Sequence, residues 1–203
     1  MSEVQADLEA SQEDALTDLL ARAAAGDDLA WTQLVNLYAR RLFALARSRL
    51  GSVDLAEEIV QSVLVTVATK VTAGEYTESG RFEPWLFRVA MNRIRDEIRR
   101  QRRSIVETNG HLPEQAGPVE TLVGDDDDDG QQMDALRAAL GRLPDVDREV
   151  IELRHHGSMS FKEIAAMTGE PMGTLLARHH RALRKLRAMI EKYLADQKIE
   201  RTR

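Results

Sequence analysis

The stretch from residue 83 to residue 103 constrains the fold more than any other part of the chain, because its polar and apolar residues separate at helical spacing. At about 100° per residue, its apolar side chains fall on one broad arc. This arc contains Trp85, Leu86, Val89, Ala90, Ile94 and Ile98. The opposite side carries Arg88, Asn92, Arg95, Arg99 and Arg102. The pattern predicts a helix with one buried face and one exposed row of guanidinium groups, interrupted by an amide.

Charge is distributed in blocks along the 203 residues, although the formal net charge is −6. Residues 1–30 carry eight acidic residues and one arginine, whereas residues 81–103 carry eight arginines and three acidic residues. Residues 104–134 contain nine acidic residues and no Lys or Arg, and residues 171–187 contain five Lys or Arg and no acidic residue. Local field governs nucleic-acid binding more than total charge. The sequence therefore predicts two basic surfaces separated by an acidic segment.

The composition excludes several classes of function. The chain contains no cysteine, which rules out disulfides, thiol catalysis and cysteine-ligated zinc. It has no run of about 18 apolar residues, so no membrane span is expected, and its acidic start lacks a hydrophobic signal core. No glycine-rich phosphate loop and no Ser/His/Asp arrangement is present. We therefore expect a cytoplasmic protein that is not an enzyme and that holds no cofactor.

The periodic segments predict an all-α protein with two small helical domains. Helices are expected at residues 13–25, 29–50, 54–71, 83–103, 131–142, 145–155, 160–168 and 171–194. We expect an acidic N-terminal extension (1–25), a first domain (26–103), an acidic linker (104–130), a second domain (131–194) and a C-terminal tail (195–203). The linker holds few apolar residues and much like charge, a composition that favours flexibility.

The helix boundaries have local signals. The run Gly26-Asp27-Asp28 is expected to end the first helix and cap the second, and Gly51 is expected to end the second. Residues 54–71 also show the alternation of a strand, but apolar residues recur every four positions and 18 residues are long for a strand. Asp54 followed by Glu57 resembles a capping box, so a helix is predicted here.

The second predicted domain contains the pattern of a helix-turn-helix motif. Ser160 and Glu163 form a capping box at the start of its first helix. Ala165 supplies a small side chain where two helices cross. Gly169 follows four residues later and supplies the turn. Pro171 then opens the second helix. Capping box, spacing and turn agree, which indicates a DNA-binding unit.

The second helix of this motif also separates two faces. Its apolar face carries Leu175, His179, Ala182, Leu183, Leu186 and Ile190. Its opposite face carries Thr174, Ala177, Arg178, Arg181, Arg184 and Lys185. The basic face favours DNA recognition. The alternative is an ordinary helical hairpin with a solvated basic face, and the arginine row of residues 88–102 has the same alternative.

Two histidine pairs and an aspartate run raise the question of a metal site. Adjacent histidines, as in residues 155–156 and 179–180, point about 100° apart on a helix and do not readily face one ion. The run Asp125 to Asp129 lies in a segment expected to be flexible, whereas a specific cation site needs fixed geometry. We expect no metal site, and His179 is interpreted as a core or boundary residue.

Three stretches together resemble bacterial RNA polymerase sigma factors of the extracytoplasmic function (ECF) group. They read DLAEEIVQSVL, GRFEPWLFRVAMNRIRDEIRRQRR and ALGRLPDVDREVIELRHHGSMSFKEIAAMTGEPMGTLLARHHRALRKLR. The similarity covers about residues 27–103 and 131–190, in the order of the family. It implies a first domain like region 2, which binds the polymerase clamp and opens the −10 element. The second domain would match region 4, which reads the −35 element and touches the polymerase flap.

The resemblance also implies roles for individual residues. For the β′ clamp helices of core polymerase it points to Glu57, Glu58 and Gln61. For the −10 element it points to Asn92, whose amide suits readout of an unstacked base, with Arg88, Arg95 and Arg99 on phosphates. For the −35 element it points to Thr174, Arg178, Arg181, Arg184 and Lys185. Trp85 suits a wedge between bases, but its place on the apolar arc favours core packing. Membership would further imply promoter DNA and an anti-sigma factor as partners.

The chain departs from the family pattern in its recognition helix. Leu176 and Ala177 stand where polar groups are usual, and His179-His180 offers weaker, pH-sensitive charge. Two other functions stay open. A stand-alone helix-turn-helix regulator would use only residues 131–190, but it has no need of a clamp-like AEEIVQ stretch. A protein that sequesters a partner through amphipathic helices has no need of a basic recognition face.

Overall fold

The structure is a computed structural model that describes residues 14–76, 81–109 and 128–201. These ranges contain eight helices and no strand. The helices are α1 (14–24), α2 (Asp28–Leu50), α3 (Val53–Thr72), α4 (Phe82–Asn109), α5 (Asp128–Arg142), α6 (Asp145–His155), α7 (Phe161–Thr168) and α8 (Met172–Arg201). The all-α prediction is confirmed. The acidic start of the chain and most of the predicted linker lie outside the described residues.

The helix ends follow local chemistry. The Asp27 carboxylate accepts hydrogen bonds from the backbone N–H groups of Leu29 and Ala30, so it caps α2 as predicted. Gly51 ends α2 with a left-handed φ of 72°. The prediction that Asp54 caps α3 is wrong. The cap is Ser52, whose hydroxyl accepts from the Leu55 N–H, and Asp54 instead adds negative charge to the first turn.

Three helices run further than the sequence predicts. Helix α4 continues to Asn109 rather than residue 103, α5 begins at Asp128 rather than residue 131, and α8 continues to Arg201. Extending an existing helix costs little compared with starting one, and no Gly or Pro interrupts residues 104–109. Both ends of the predicted linker are therefore helical.

The first domain packs α2, α3 and α4 around a core that also receives α1. Its buried side chains include Leu20, Leu34, Tyr38, Leu42, Leu45, Val63, Val67, Phe82, Leu86, Phe87 and Ile94. The predicted arc of α4 is confirmed at Leu86, Ala90 and Ile94. Trp85 is half-buried, with its ring centroid 4.6 Å from that of Tyr76, as core packing requires.

The second domain packs α5 and α6 on α8, with α7 across α8. Ala139, Leu140, Leu143, Ile151, Ala182 and Leu186 form one buried cluster. The inner face of α8 agrees with the prediction at Leu175, Ala182 and Leu186. Leu183 differs, because its side chain remains 36% exposed at the edge of that face.

The two domains share a continuous hydrophobic core, which the sequence did not indicate. Val150 and Leu153 of α6, Met159, and Ile164 and Met167 of α7 belong to the same buried cluster as the first-domain residues. Helix α7 packs against α4, and α6 packs against α2. The second domain therefore lies directly against the first.

Candidate nucleic-acid interface

The predicted DNA-contacting arginines of α4 line one exposed face, but acceptors from the second domain hold two of them. The Arg88 guanidinium donates to the carbonyl oxygen of Met167 from Nε at 3.0 Å and from Nη2 at 2.6 Å. It also donates to the Ala166 carbonyl at 2.9 Å. Arg95 donates to both carboxylate oxygens of Glu149 at 2.7 Å. The row predicted to hold phosphates thus faces protein oxygens here.

The other two predicted residues of this face lie beside these pairs. Asn92 is exposed, and its Oδ1 accepts a hydrogen bond from Arg95 at 3.3 Å. Arg99 is exposed and pairs with Asp96 one turn earlier on the same helix. Exposed pairs of this kind stabilise little, so they do not prevent Arg99 from exchanging partners.

Sequence reasoning missed Arg41, a half-buried cation behind the same face. It donates to both oxygens of Glu83 at 2.8 Å and from Nε to the carbonyl oxygen of Gly157 at 2.9 Å. Burial, the largest single influence, opposes the ionised form of Glu83, but the hydrogen bonds and positive charge of Arg41, together with further hydrogen bonds, hold the pKa of Glu83 below its usual value. Arg41 is one of four arginines on α2, and nothing in the sequence distinguishes it as the partner of Glu83.

A buried charge cluster lies where α2 meets α6, and sequence reasoning missed it too. The Glu152 carboxylate is fully buried and accepts from the Ser48 hydroxyl at 2.7 Å and from Arg148 Nε at 2.8 Å. It also forms an ion pair with Arg49, whose side chain is only 5% exposed. The sequence gives one signal for this cluster, because Glu152 is an acidic residue inside the otherwise apolar run from residue 150 to residue 153.

The helix-turn-helix geometry forms as predicted. The Ser160 hydroxyl accepts from the Glu163 N–H at 3.2 Å, and the Glu163 carboxylate accepts from the Ser160 N–H at 2.6 Å. Gly169 adopts a left-handed φ of 77° and donates to the Ala165 carbonyl at 2.8 Å. These contacts set the angle at which α8 leaves α7.

The predicted face of α8 is more open than that of α4. Thr174, Arg181 and Arg184 are exposed. Lys185 is exposed but donates to Asp147 at 2.7 Å. Arg178 is held by both oxygens of Glu170, at 2.7 and 2.6 Å, and this pairing raises the pKa of Arg178. Leu176 is half-buried, and Ala177 adds no polar group to the face.

The candidate DNA face of α4 and one residue of the candidate face of α8 border a cleft between the domains. Arg88, Asn92 and Arg95 line it from α4, and Glu170 and Arg178 line it from the second domain. Thr174, Arg181, Arg184 and Lys185 of the α8 face are not among the residues that line this cleft.

The predicted polymerase contacts lie on a different surface. Glu57, Glu58 and Gln61 are all exposed on α3. The opposite side of that helix is buried through Ala56, Ile59, Val60 and Val63. Nothing in the described part of the second domain pairs with these three residues.

The histidines form a ring stack. His155 and His179 have centroids 5.7 Å apart, and Phe161 contacts His179 edge-on. In the described ranges, no group of three or more His, Asp or Glu side chains is placed to share a metal ion. Among those residues, no helix combines the length and apolar character that crossing a membrane requires.

Comparison with protein families finds two matches in this order along the chain. The family described as Sigma-70 region 2 matches residues 34–104. The family described as Sigma-70, region 4 matches residues 139–188.

Curated relatives agree with those matches. The RNA polymerase sigma factor CnrH of Cupriavidus metallidurans is 32% identical over 88% of this chain and 96% of its own length. The ECF RNA polymerase sigma factor SigE of Mycolicibacterium smegmatis is 31% identical over 85% of this chain and 67% of its own length.

Solved structures share the fold. The structure of CnrH in complex with the cytosolic domain of CnrY matches with a TM-score of 0.62 and 28% identity, over 86% of this chain and 96% of that one. The sigma factor RpoE of Bartonella quintana, in complex with the anti-sigma factor NepR, matches with a TM-score of 0.60 and 25% identity, over 79% and 96%.

Proposed function

The chain belongs to the ECF group of RNA polymerase sigma factors, and from that premise we propose how its residues divide the work of initiation. As a member of this family it directs RNA polymerase to promoters and starts transcription, and it acts by binding rather than by catalysis. We keep residues 26–103 and 131–194 as the proposed limits of its two domains.

The carrying observation is the pair of separate exposed surfaces on the first domain. One is acidic and lies on α3, and the other is basic and lies on α4. A stand-alone DNA-binding regulator needs the second surface but not the first. A protein that joins a basic polymerase groove to DNA needs both.

We assign the polymerase contact to the exposed polar side of α3. Glu57, Glu58 and Gln61 would pair with basic residues on the β′ clamp helices. All three side chains are exposed, so both carboxylates and the amide are available for such a contact. The second domain would touch the β flap.

We assign the melted −10 strand to α4. Asn92 offers an amide that donates and accepts at the edge of an unstacked base. Arg88, Arg95 and Arg99 surround it with guanidinium groups that suit phosphates. The −35 duplex would lie against α8, where Thr174, Arg178, Arg181, Arg184 and Lys185 form one face.

An anti-sigma factor is the proposed regulator. The solved relatives carry the cytosolic domain of CnrY in one case and NepR in the other. A partner of this chain would clamp both domains and cover both basic faces.

The test is run-off transcription with purified core RNA polymerase on a pool of promoter-containing fragments. Adding the protein is expected to create specific start sites. Asn92→Ala is expected to remove them through loss of the base contact, and Glu57→Arg with Glu58→Arg is expected to remove them through loss of docking. The control is Asp14→Arg with Asp18→Arg, which makes the same charge change on exposed positions of α1.

Equal loss of transcription in the α1 control would argue against docking through α3. Absence of any start site, together with tight duplex binding by the full chain without polymerase, would favour the stand-alone regulator.

A further inference from the structure

One arginine on the basic face of α8 is held in place, whereas two of its neighbours are free to change rotamer. Arg178 donates from Nη1 to Glu170 Oε1 at 2.7 Å and from Nη2 to Glu170 Oε2 at 2.6 Å, and its side chain is only 16% exposed. Arg181 and Arg184 are exposed and form no ion pair with the residues that the structure describes. The face therefore combines one fixed guanidinium group with two mobile ones.

The ion pair of Arg178 belongs to the helix-turn-helix motif itself. Glu170 lies in the turn directly after Gly169, and its backbone N–H donates to the Thr168 hydroxyl at 3.3 Å. The left-handed φ of 77° at Gly169 sets the course of the chain through this turn. The two partners are eight residues apart, so the pair moves with the motif. Its geometry does not depend on how the second domain lies against the first.

The pairing uses one edge of the guanidinium group and leaves another edge available. A guanidinium group carries five N–H donors in a rigid plane, and Glu170 accepts one from each terminal nitrogen. The Nε hydrogen and the second hydrogen on Nη2 remain, and they point in the same direction. Within the described ranges, no protein acceptor takes a hydrogen bond from Nε of Arg178. Guanine presents O6 and N7 side by side in the major groove, and this pair of acceptors matches such an edge.

A held arginine differs from a free one in what it loses on binding. A free arginine gives up its rotamer freedom when a base fixes it, whereas Glu170 has already restricted Arg178. A base without matching acceptors would leave the donor edge of Arg178 unpaired at the interface, which is unfavourable. Mobile arginines such as Arg181 and Arg184 suit phosphates, which carry no sequence information. The difference assigns base specificity to Arg178 and general affinity to its neighbours.

The charge of Glu170 fits the same division. Its hydrogen bonds with Arg178 lower the pKa of Glu170, so the carboxylate stays ionised at neutral pH. An unpaired carboxylate beside DNA would repel phosphates, but the pair with Arg178 has no net charge. The pair therefore adds little to non-specific attraction, and its contribution to binding lies in the contact with a base.

We propose that Glu170 is a positioning residue for promoter recognition, because it holds Arg178 so that the Nε edge reads one guanine of the −35 element. Arg178 contacts the base, and Glu170 acts through Arg178. This inference rests on the assignment of α8 to the −35 duplex made above. The sequence placed Arg178 on the DNA face but indicated no role for Glu170.

The test measures binding of the holoenzyme, assembled with core polymerase, to a promoter fragment whose start site has been mapped by run-off transcription. Each guanine of the −35 region is replaced in turn by 7-deazaguanine, which lacks the N7 acceptor and keeps its base pairing. The parent protein is expected to lose about fivefold in affinity at one of these guanines. Arg178→Ala is expected to show no loss at that guanine, because the donor edge is gone.

Glu170→Gln tests the positioning role and keeps the size of the side chain. Its loss at the same guanine is expected to shrink to about twofold, because Arg178 is no longer held by a carboxylate. Glu191→Gln is the matched control, since it removes the carboxylate of an exposed Arg–Glu pair on α8, and it is expected to keep the loss of the parent. Glu170→Gln combined with Arg178→Ala is expected to behave like Arg178→Ala alone.

Three results would overturn the proposal. If Glu170→Gln tightens binding to modified and unmodified fragments by the same factor, Glu170 only competes with DNA for Arg178. If the double variant differs from Arg178→Ala in its guanine dependence, Glu170 contacts DNA itself. Promoter-specific initiation without any guanine that depends on Arg178 would contradict this inference alone, whereas absence of specific start sites would contradict the proposed function as well.

Discussion

The two basic faces carry similar residues but differ in what holds their cations. On α4, the carbonyl oxygens at the end of α7 receive Arg88, and Glu149 receives Arg95. On α8, Arg181 and Arg184 are exposed and make no ion pair within the described part of the chain. The difference shows that a row of arginines in a sequence reports the potential for binding anions, and that the rest of the fold decides whether the row is available.

Arg178 lies between these two cases. Its partner Glu170 comes from the turn of the same helix-turn-helix motif, eight residues away. Such a local pair opens without any movement of a domain. The pairs of Arg88 and Arg95 span 79 and 54 residues, so they join the two domains rather than neighbouring turns of one motif.

The largest expected effect comes from breaking the buried Glu152 cluster, which lies between α2 and α6. Glu152→Ala leaves Arg49 and Arg148 without their buried partner, and removing one member of such a cluster costs about 3 kcal/mol of the free energy of unfolding. Urea unfolding followed by circular dichroism measures it.

Glu191→Ala is the control for this variant. That residue forms an exposed pair with Arg187 on α8, so its loss is expected to cost less than about 0.5 kcal/mol. Similar costs for the two variants would show that the Glu152 cluster is not buried in solution.

The next effect concerns the open face. Arg181→Ala is expected to weaken promoter binding by the holoenzyme about fivefold and to lower the slope of log affinity against log salt by about one, because one phosphate contact is lost. Filter binding over a salt series measures both quantities. Arg187→Ala, which removes an arginine already paired with Glu191, is expected to change neither, and an equal loss there would contradict a specific role for Arg181.

The sequence predicts the features that depend on near neighbours. Asp27, Gly51, the Ser160–Glu163 box and Gly169 act within four residues of their position, so each is visible as a short pattern. The inner faces of α4 and α8 follow from helical periodicity, because burial repeats about every 3.6 residues. The predicted all-α fold and the family resemblance rest on these local signals.

The contact between the domains depends on distant residues and was not predictable in this way. Glu152 meets Arg49 and Ser48, which are about a hundred residues away in the sequence. An acidic residue on a helix is usually solvated, and nothing in a single sequence identifies the partner that allows its burial. For the same reason Glu149 looks like a surface residue, although it covers Arg95.

The smallest expected effect is a dependence of stability on pH set by two histidines of the second domain. Burial lowers the pKa of His156 and of His179 below the usual value. The unfolded chain therefore binds more protons than the folded one as pH falls below about 6.5, and the free energy of unfolding should fall between pH 7.5 and pH 5.5. Burial raises the pKa of Glu163, whose protonation acts in the opposite direction. His156→Gln should flatten the thermal-unfolding profile over this range, because it removes one of the two groups with a lowered pKa. If His156→Gln leaves the dependence of stability on pH as steep as in the parent, His156 is not buried in solution as it is in this structure. The packing at the end of α6 would then differ from the one described above.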